Sequence, residues 1–240
     1  MDIAFASETL ISLLSALPLT LELAVTAIAL GSVLALALAL ARLSGMLVLD
    51  WFARAYVFVF RGTPLLVQIF LIYYGLSQFA AVRHSILWPV LREPYWCAVL
   101  ALMLNTAAYA SEIIRGGLLS VPHGQVEAAR ACGMPRLMIF RRIVMPLAIR
   151  QALPGYGNEM ISMVKATSLA SIITLMEITG VAARIISESY RVIEVFVVAG
   201  AIYLAINFLL TRLIAFVEYW LTPNQRQPMA IHGELKGEAH

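Results

Sequence analysis

Five long runs of apolar residues constrain this chain more than any other feature. Crossing roughly 30 Å of hydrocarbon takes about 20 mostly apolar residues in a helix. The runs that meet this are Leu19–Ala41, residues 57–81, Tyr95–Ile114, Asn158–Met176 and Val195–Val217. The second gains its length from the apolar stretch Trp51–Phe60 that leads into Leu65–Ala81, and the fourth is the least greasy. At 61% hydrophobic and 13% charged, with a mean hydropathy of +0.86, the chain is no ordinary soluble domain, for which about 25% charged is typical. The expected fold is therefore an all-α polytopic membrane protein with five transmembrane helices, one membrane domain over residues 1–221, and a polar tail over 222–240. Residues Leu10–Leu43 read as a retained span with a lead-in rather than a cleaved signal, because no Lys/Arg-rich segment precedes them.

Five spans put the two ends on opposite sides, and the basic residues choose which. With the N-terminus outside, the inner segments hold Arg42, Arg54 and Arg61, then Arg115, Arg130, Arg136, Arg141, Arg142 and Arg150, then Arg212, Arg226 and Lys236. The outer segments hold only Arg83, Arg92, Arg184 and Arg191. Cytoplasmic loops carry the excess of Lys and Arg. The pattern predicts an N-terminus outside and a C-terminus in the cytoplasm. It also accounts for the pI near 9.0 without invoking nucleic acid.

The polar loop 121–146 then lies inside. It reads E-A-A-R-A-C-G, nine residues, then I-V-M-P. The spacing predicts a short helix over Gln125–Cys132, with Pro122 and Gly124 breaking the chain before it. Gly133 suits the left-handed turn that ends a helix. Glu127 is a polar contact or a stabiliser of the helix N-terminus. A helix lying on lipid headgroups would carry bulky apolar anchors. Ala128, Ala129 and Ala131 are poor anchors and instead permit close approach to a docking groove.

Chemistry of other kinds is missing. Neither Lys165 nor Lys236 sits in a G-x-x-x-x-G-K-[ST] loop, so the chain has no P-loop of its own and any coupling to ATP must come from a partner. His84, His123, His232 and His240 have no zinc spacing, and Cys97 and Cys132 form neither a CxxC nor a supported disulfide. No catalytic residues, metal or cofactor are expected. Polar residues inside spans are costly and mark function by default. Asn105, Tyr109 and Glu112 share one face of the third span, with Asn105 about 15 Å below its outer end, near the midplane. Lys165, Thr167 and Ser168 cluster in the fourth, with Glu159 nearer the cytoplasm. These six (Asn105, Tyr109, Glu112, Lys165, Thr167 and Ser168) are candidates for a substrate pathway. Their structural alternative is helix-to-helix bonding. A buried Lys165 would need a partner, for which Glu112, Glu159 or a cargo carboxylate would serve. Arg61-Gly62-Thr63-Pro64 reads as a loop-to-helix transition or a hinge.

Several stretches together resemble a known family: R-G-T-P-L-L-V-Q from Arg61, N-T-A-A-Y-A-S-E-I-I-R-G-G from Asn105, V-P-x-G-Q-x-E-A-A from Val121, and Asn158-Glu159 followed by K-x-T-S-L from Lys165. The chain looks like a polar amino-acid ABC importer permease over nearly its whole length. Its nearest likeness is to M-type subunits of histidine/lysine/arginine/ornithine, octopine or nopaline importers. The loop resembles the family's EAA loop, in which Glu127, Ala128, Ala129, Gly133, Ile143 and Pro146 fit the pattern and Met145 replaces the usual Leu. The resemblance implies a type I permease in a bacterial inner membrane. It implies a homologous second permease, two ATP-binding subunits and a periplasmic solute-binding protein, and docking of the EAA helix on an ATPase. Family members usually read K-D-T-S-L; Ala166 stands where the Asp would be, which hints at a heterodimer whose partner carries the acidic half. An ion-driven secondary transporter would be longer and show paired repeats, and a non-transporting scaffold would not need the polar midplane stripe.

Overall fold

The computed structural model describes residues 3–221; the polar tail 222–240 lies outside the described residues. All regular structure among the described residues is helical. In chain order the α-helices are α1 Ile3–Ser15, α2 Leu17–Leu43, α3 Leu47–Gly62, α4 Leu65–Phe70, α5 Ala80–Arg83, α6 Trp88–Leu91, α7 Pro94–Leu119, α8 His123–Ala131, α9 Arg136–Ile139, α10 Met145–Ala166, α11 Ile178–Ser189 and α12 Val192–Leu221. Wider π turns occupy Leu71–Gly75 and Phe140–Val144, and a 3-10 stretch runs over Thr167–Ile173.

Three stretches are long and apolar enough to cross a membrane: Ile3–Leu43, Pro94–Leu119 and Val192–Leu221. Two bent pairs raise the number to five, namely Leu47–Gly62 with Leu65–Gln78, bent by 104°, and Arg136–Ile173 with Ile178–Ser189, bent by 48°. The second span is not one continuous helix: it breaks at Arg61–Pro64, the stretch that reads in sequence as a loop-to-helix transition or a hinge. Pro64 drives Thr63 into extended backbone (φ −111°, ψ 141°), because its ring excludes the helical region for the residue before it. The fourth span also differs from its expected limits: α10 starts at Met145, and left-handed Thr174 (φ 72°) closes the 3-10 stretch before α11.

Parallel α2 and α7 form the centre, with Thr26 beside Tyr95 at one end and Arg42 beside Glu112 at the other. Lipid tails are as apolar as the helix surfaces, so association depends on close packing of small residues. Ala24, Ala27, Gly31 and Ala35 on α2 and Ala98, Ala101, Ala107 and Ala108 on α7 supply that smooth surface, and all are buried. A methyl group on Gly31 would lie 3.1 Å from the carbonyl oxygen of Met103. A second cluster, with Leu13, Ile178, Val181, Val195 and Ile202, joins α1, α11 and α12.

The paired glycines at the inner end of α7 generate a test. A methyl on Gly117 would meet the Ala148 carbonyl oxygen at 2.7 Å and the Ala152 Cβ at 2.9 Å, whereas one on Gly116 meets nothing within 4 Å. Gly117→Ala should therefore destabilise by about 1–3 kcal/mol through overpacking of α7 on α10. Gly116→Ala should be neutral or stabilising by up to about 1 kcal/mol through helix propensity. Thermal unfolding of the purified protein in detergent checks the opposite signs.

Candidate functional site

Loop 121–146 begins with α8, which starts at His123, two residues ahead of expectation, because Pro122 takes extended backbone and serves as the N-cap. Glu127 is thus past the first turn and makes no cap. It stands exposed, as does Ala128, while Ala129 turns inward and is 6% exposed. The helix closes in the expected way. Gly133 is left-handed (φ 73°), its N–H donates to Arg130 O at 2.9 Å, and the Met134 N–H reaches back to Ala129 O at 3.1 Å. These two bonds satisfy carbonyls that the helix end would orphan, and Pro135 then prevents continuation.

The chain returns through α9 and the π turn Phe140–Val144 into α10. The Met145 N–H bonds to Phe140 O, five residues back. A proline ring in a helix clashes with the carbonyl four residues earlier. Pro146 falls one residue past that wide turn, so Arg142 O is given room. Ile143 and Pro146 therefore belong to the junction between loop and span, about one turn apart, and not to the exposed face of α8.

The bent second span is braced from within. Pro64 has no N–H to give Phe60 O, and hydrocarbon offers no substitute. The Gln68 amide fills the gap: Nε2 lies 2.9 Å from Phe60 O, 3.1 Å from Thr63 O and 2.8 Å from Thr63 Oγ1. Asn105 supports it from α7, with Nδ2 3.2 Å from Gln68 Oε1 and 3.4 Å from Phe60 O. One turn along α7, Tyr109 lies beneath the Arg61 guanidinium, 5.0 Å from ring centroid to Cζ. Glu112 continues the same face into an ion network where the C-terminal end of α2 and the N-terminal end of α3 meet α7. Arg42 bridges Glu112 (2.5 Å) and Asp50 (3.0 Å), Arg115 takes the other Glu112 oxygen at 2.7 Å, and Arg54 takes Asp50 at 2.8 Å.

Lys165 is exposed and has no ion pair among the described residues, and Glu112 is already occupied by arginines. Thr167 is fully buried, its Oγ1 donating to Val164 O at 2.7 Å, and Ser168 Oγ donates to Lys165 O at 2.7 Å. Both hydroxyls thus serve the tightened backbone where α10 gives way to the 3-10 stretch. Two polar residues escaped sequence reasoning. Gln68 sits four residues after Pro64, where its side chain can reach back across the break. Glu177, fully buried, caps α11 by accepting from Gly180 N at 2.8 Å and from Tyr203 OH at 2.8 Å. An acidic residue three positions before a helical glycine, Gly180, was its signal.

A bundle of apolar helices, with a span broken at Thr63–Pro64 and an exposed helix in a basic loop, is the layout of a membrane permease. The chain belongs to the family of binding-protein-dependent transport system inner membrane components, which matches residues 27–222. It is 62% identical to the octopine transport system permease protein OccM of Rhizobium meliloti, over 100% of this chain and 98% of that protein. It is 52% identical to the nopaline transport system permease protein NocM of Agrobacterium fabrum, over all of both chains. It is 44% identical to the arginine ABC transporter permease protein ArtM of Escherichia coli, over 71% of this chain and 77% of that one. A crystal structure described as an amino acid ABC transporter with histidines superimposes with a TM-score of 0.81 at 35% identity, covering 92% of this chain and 99% of that one. The inward-facing MetNI methionine ABC transporter shares the fold, with a TM-score of 0.67 at 17% identity. The protein is thus a type I ABC importer permease of an inner membrane, a transport subunit whose family implies ATPase and substrate-binding partners.

The brace makes a direct prediction. Gln68→Leu keeps the shape but takes the amide from Phe60 O and Thr63 O and leaves Phe60 O only the longer Asn105 bond, at a cost of about 1–3 kcal/mol. Asn105→Ala should cost less, since its bonds are the longer ones. Unfolding midpoints in detergent should rank wild type above Asn105→Ala and Asn105→Ala above Gln68→Leu; the reverse order of the variants would remove Gln68 as the main brace.

Proposed function

We propose that this chain is the permease subunit of an ATP-driven importer for a cationic or otherwise polar amino acid or an opine, working as a lever-driven gate. The relatives named for octopine, nopaline and arginine transport support that cargo class. The observation that carries the mechanism is the geometry of α8: an exposed, capped helix tied through a π turn and Pro146 to the span that bears Glu159 and Lys165. Two ATP-binding subunits receive the exposed Glu127 and Ala128 face, with Ala129 and Gly133 fixing the shape of the helix. Ile143 and Pro146 pass the displacement on to α10. ATP binding draws the subunits together, the loops move with them, and the spans shift between outward- and inward-open populations.

The pathway lies along Asn105, Tyr109, Glu112, Lys165, Thr167 and Ser168. Asn105 and Glu112 shape it by holding the bent span and the inner helix ends, Thr167 and Ser168 hold the end of α10, and Tyr109 and exposed Lys165 offer groups to the cargo. A homologous second permease faces this one, and Ala166 favours a heterodimer in which the partner supplies an acidic group. A periplasmic binding protein delivers the cargo. The N-terminus is periplasmic and the C-terminus cytoplasmic, in keeping with the basic loops.

The test uses the assembled transporter in vesicles. Glu127→Lys and Gly133→Asp should each reduce ATP-coupled uptake about tenfold or more, the scale of losing or reversing a charged interface contact; normal uptake in both would overturn the docking role. Cys132 is exposed beside Gly133 and Cys97 is buried, so an impermeant thiol reagent reports which side the loop occupies. Labelling of Cys132 is expected only from the nucleotide side. Purification through a tag on this chain should recover a second permease of different sequence; a complex containing this permease alone would exclude the heterodimer.

A further inference from the structure

Two adjoining clefts at the inner end of the bundle are used neither by the pathway nor by the exposed face of α8. The first, about 460 Å³, is lined by Leu137, Met138, Arg141 and Arg142, with Pro135 at its edge. Both arginines are exposed, and neither pairs with a carboxylate among the described residues. The second, about 470 Å³, is a groove between α2, α7 and α10, with Leu36, Leu40, Leu118, Phe140 and Ile149 among its walls. Phe140 is a wall of the groove and the immediate neighbour of Arg141 in the π turn, so the arginine cleft and the apolar groove succeed one another along the chain.

The groove runs from the inner ends of its helices towards the midplane. At about 1.5 Å per residue, its Ser32–Leu40 wall is roughly 12 Å long. Ser32 and Tyr156 stand at the deep end, and their hydroxyls bond to each other. That end therefore presents little free polarity, which suits a hydrocarbon chain and disfavours a polar cargo. At the other end Leu137 is 69% exposed and Met138 37% exposed beside the two guanidinium groups. Apolar surface next to unpaired arginines at the inner membrane boundary is the composition that holds an anionic lipid headgroup above its acyl chain. An acidic protein surface would match the arginines and leave the groove without a purpose.

We infer that one anionic phospholipid of the inner leaflet binds here, its phosphate on Arg141 and Arg142 and an acyl chain in the groove beyond Phe140. It thereby lies against the π turn that joins the docking loop to α10. This inference rests on the inward orientation of the loop proposed above, and the labelling of Cys132 tests that orientation independently.

Native mass spectrometry of the assembled transporter, taken from nanodiscs of phosphatidylcholine with phosphatidylglycerol, reads the site directly. The expected result is one phosphatidylglycerol retained per copy of this permease. Retention should fall about tenfold or more in Arg141→Gln/Arg142→Gln, given the attraction of each basic residue for an anionic surface. It should fall in Ile149→Trp as well, where a half-exposed wall residue fills the groove and leaves the charges intact. Phosphatidylglycerol should also stimulate the ATPase of the wild-type complex relative to phosphatidylcholine alone, and Ile149→Trp should keep the basal rate but lose the stimulation. Equal retention of phosphatidylcholine, or unchanged retention in both variants, would overturn the inference. So would release of the ATPase subunits from the double arginine variant with the lipid still bound, because the pair would then belong to a protein contact.

Discussion

Hydrocarbon supplies no hydrogen bonds, and this governs every irregularity in the bundle. A helix may stop inside the membrane only where other groups take over its orphaned carbonyls and amides. At Gly62–Pro64 the takeover is by Gln68, four residues on, with Asn105 behind it on α7. At Thr174–Glu177 it is by the buried carboxylate of Glu177 towards Gly180 and by Thr20 Oγ1, which accepts from Ile178 N at 3.3 Å. The breaks are therefore fixed structural joints. They let a span of this chain bend by 104° without exposing bare backbone to lipid.

Between the joints, small residues bring helices into contact and charges fasten their inner ends. The α2–α7 seam is built from alanine and glycine, so the helices approach closely along most of their length. Arg42 then gathers Asp50 of α3 and Glu112 of α7 at the C-terminal end of α2, where partial exposure keeps the cost of desolvation down. A tightly packed centre with a braced bend can move as a body. The loop attached to it is short, capped at Gly133 and joined to α10 by a wide turn and a proline, and the lever proposed for α8 depends on that connection.

The broad outline was legible because its causes are local. The lengths of apolar runs, the inner bias of arginine and the E-A-A to I-V-M-P spacing each act over a few turns of chain. Gly133 was read correctly as a left-handed helix terminus for the same reason. What the sequence hid was non-local. The run from Trp51 to Ala81 is apolar throughout, so hydropathy sees one span, and only the orphaned carbonyl at Phe60 explains why Gln68 and Asn105 are found together. The ion pairs of Glu112 with Arg42 and Arg115 appear only when α2 is packed on α7, and Lys165, which would need a partner if buried, is exposed.

By itself, then, the sequence determined that the chain is helical, lipid-embedded and carries a short capped helix in a basic loop, since hydrophobicity, charge and turn chemistry are properties of neighbouring residues. The tertiary structure alone decided which polar groups are consumed in bracing and which remain available, because that depends on partners from 37 to 70 positions away, as Gln68 to Asn105 and Arg42 to Glu112 are.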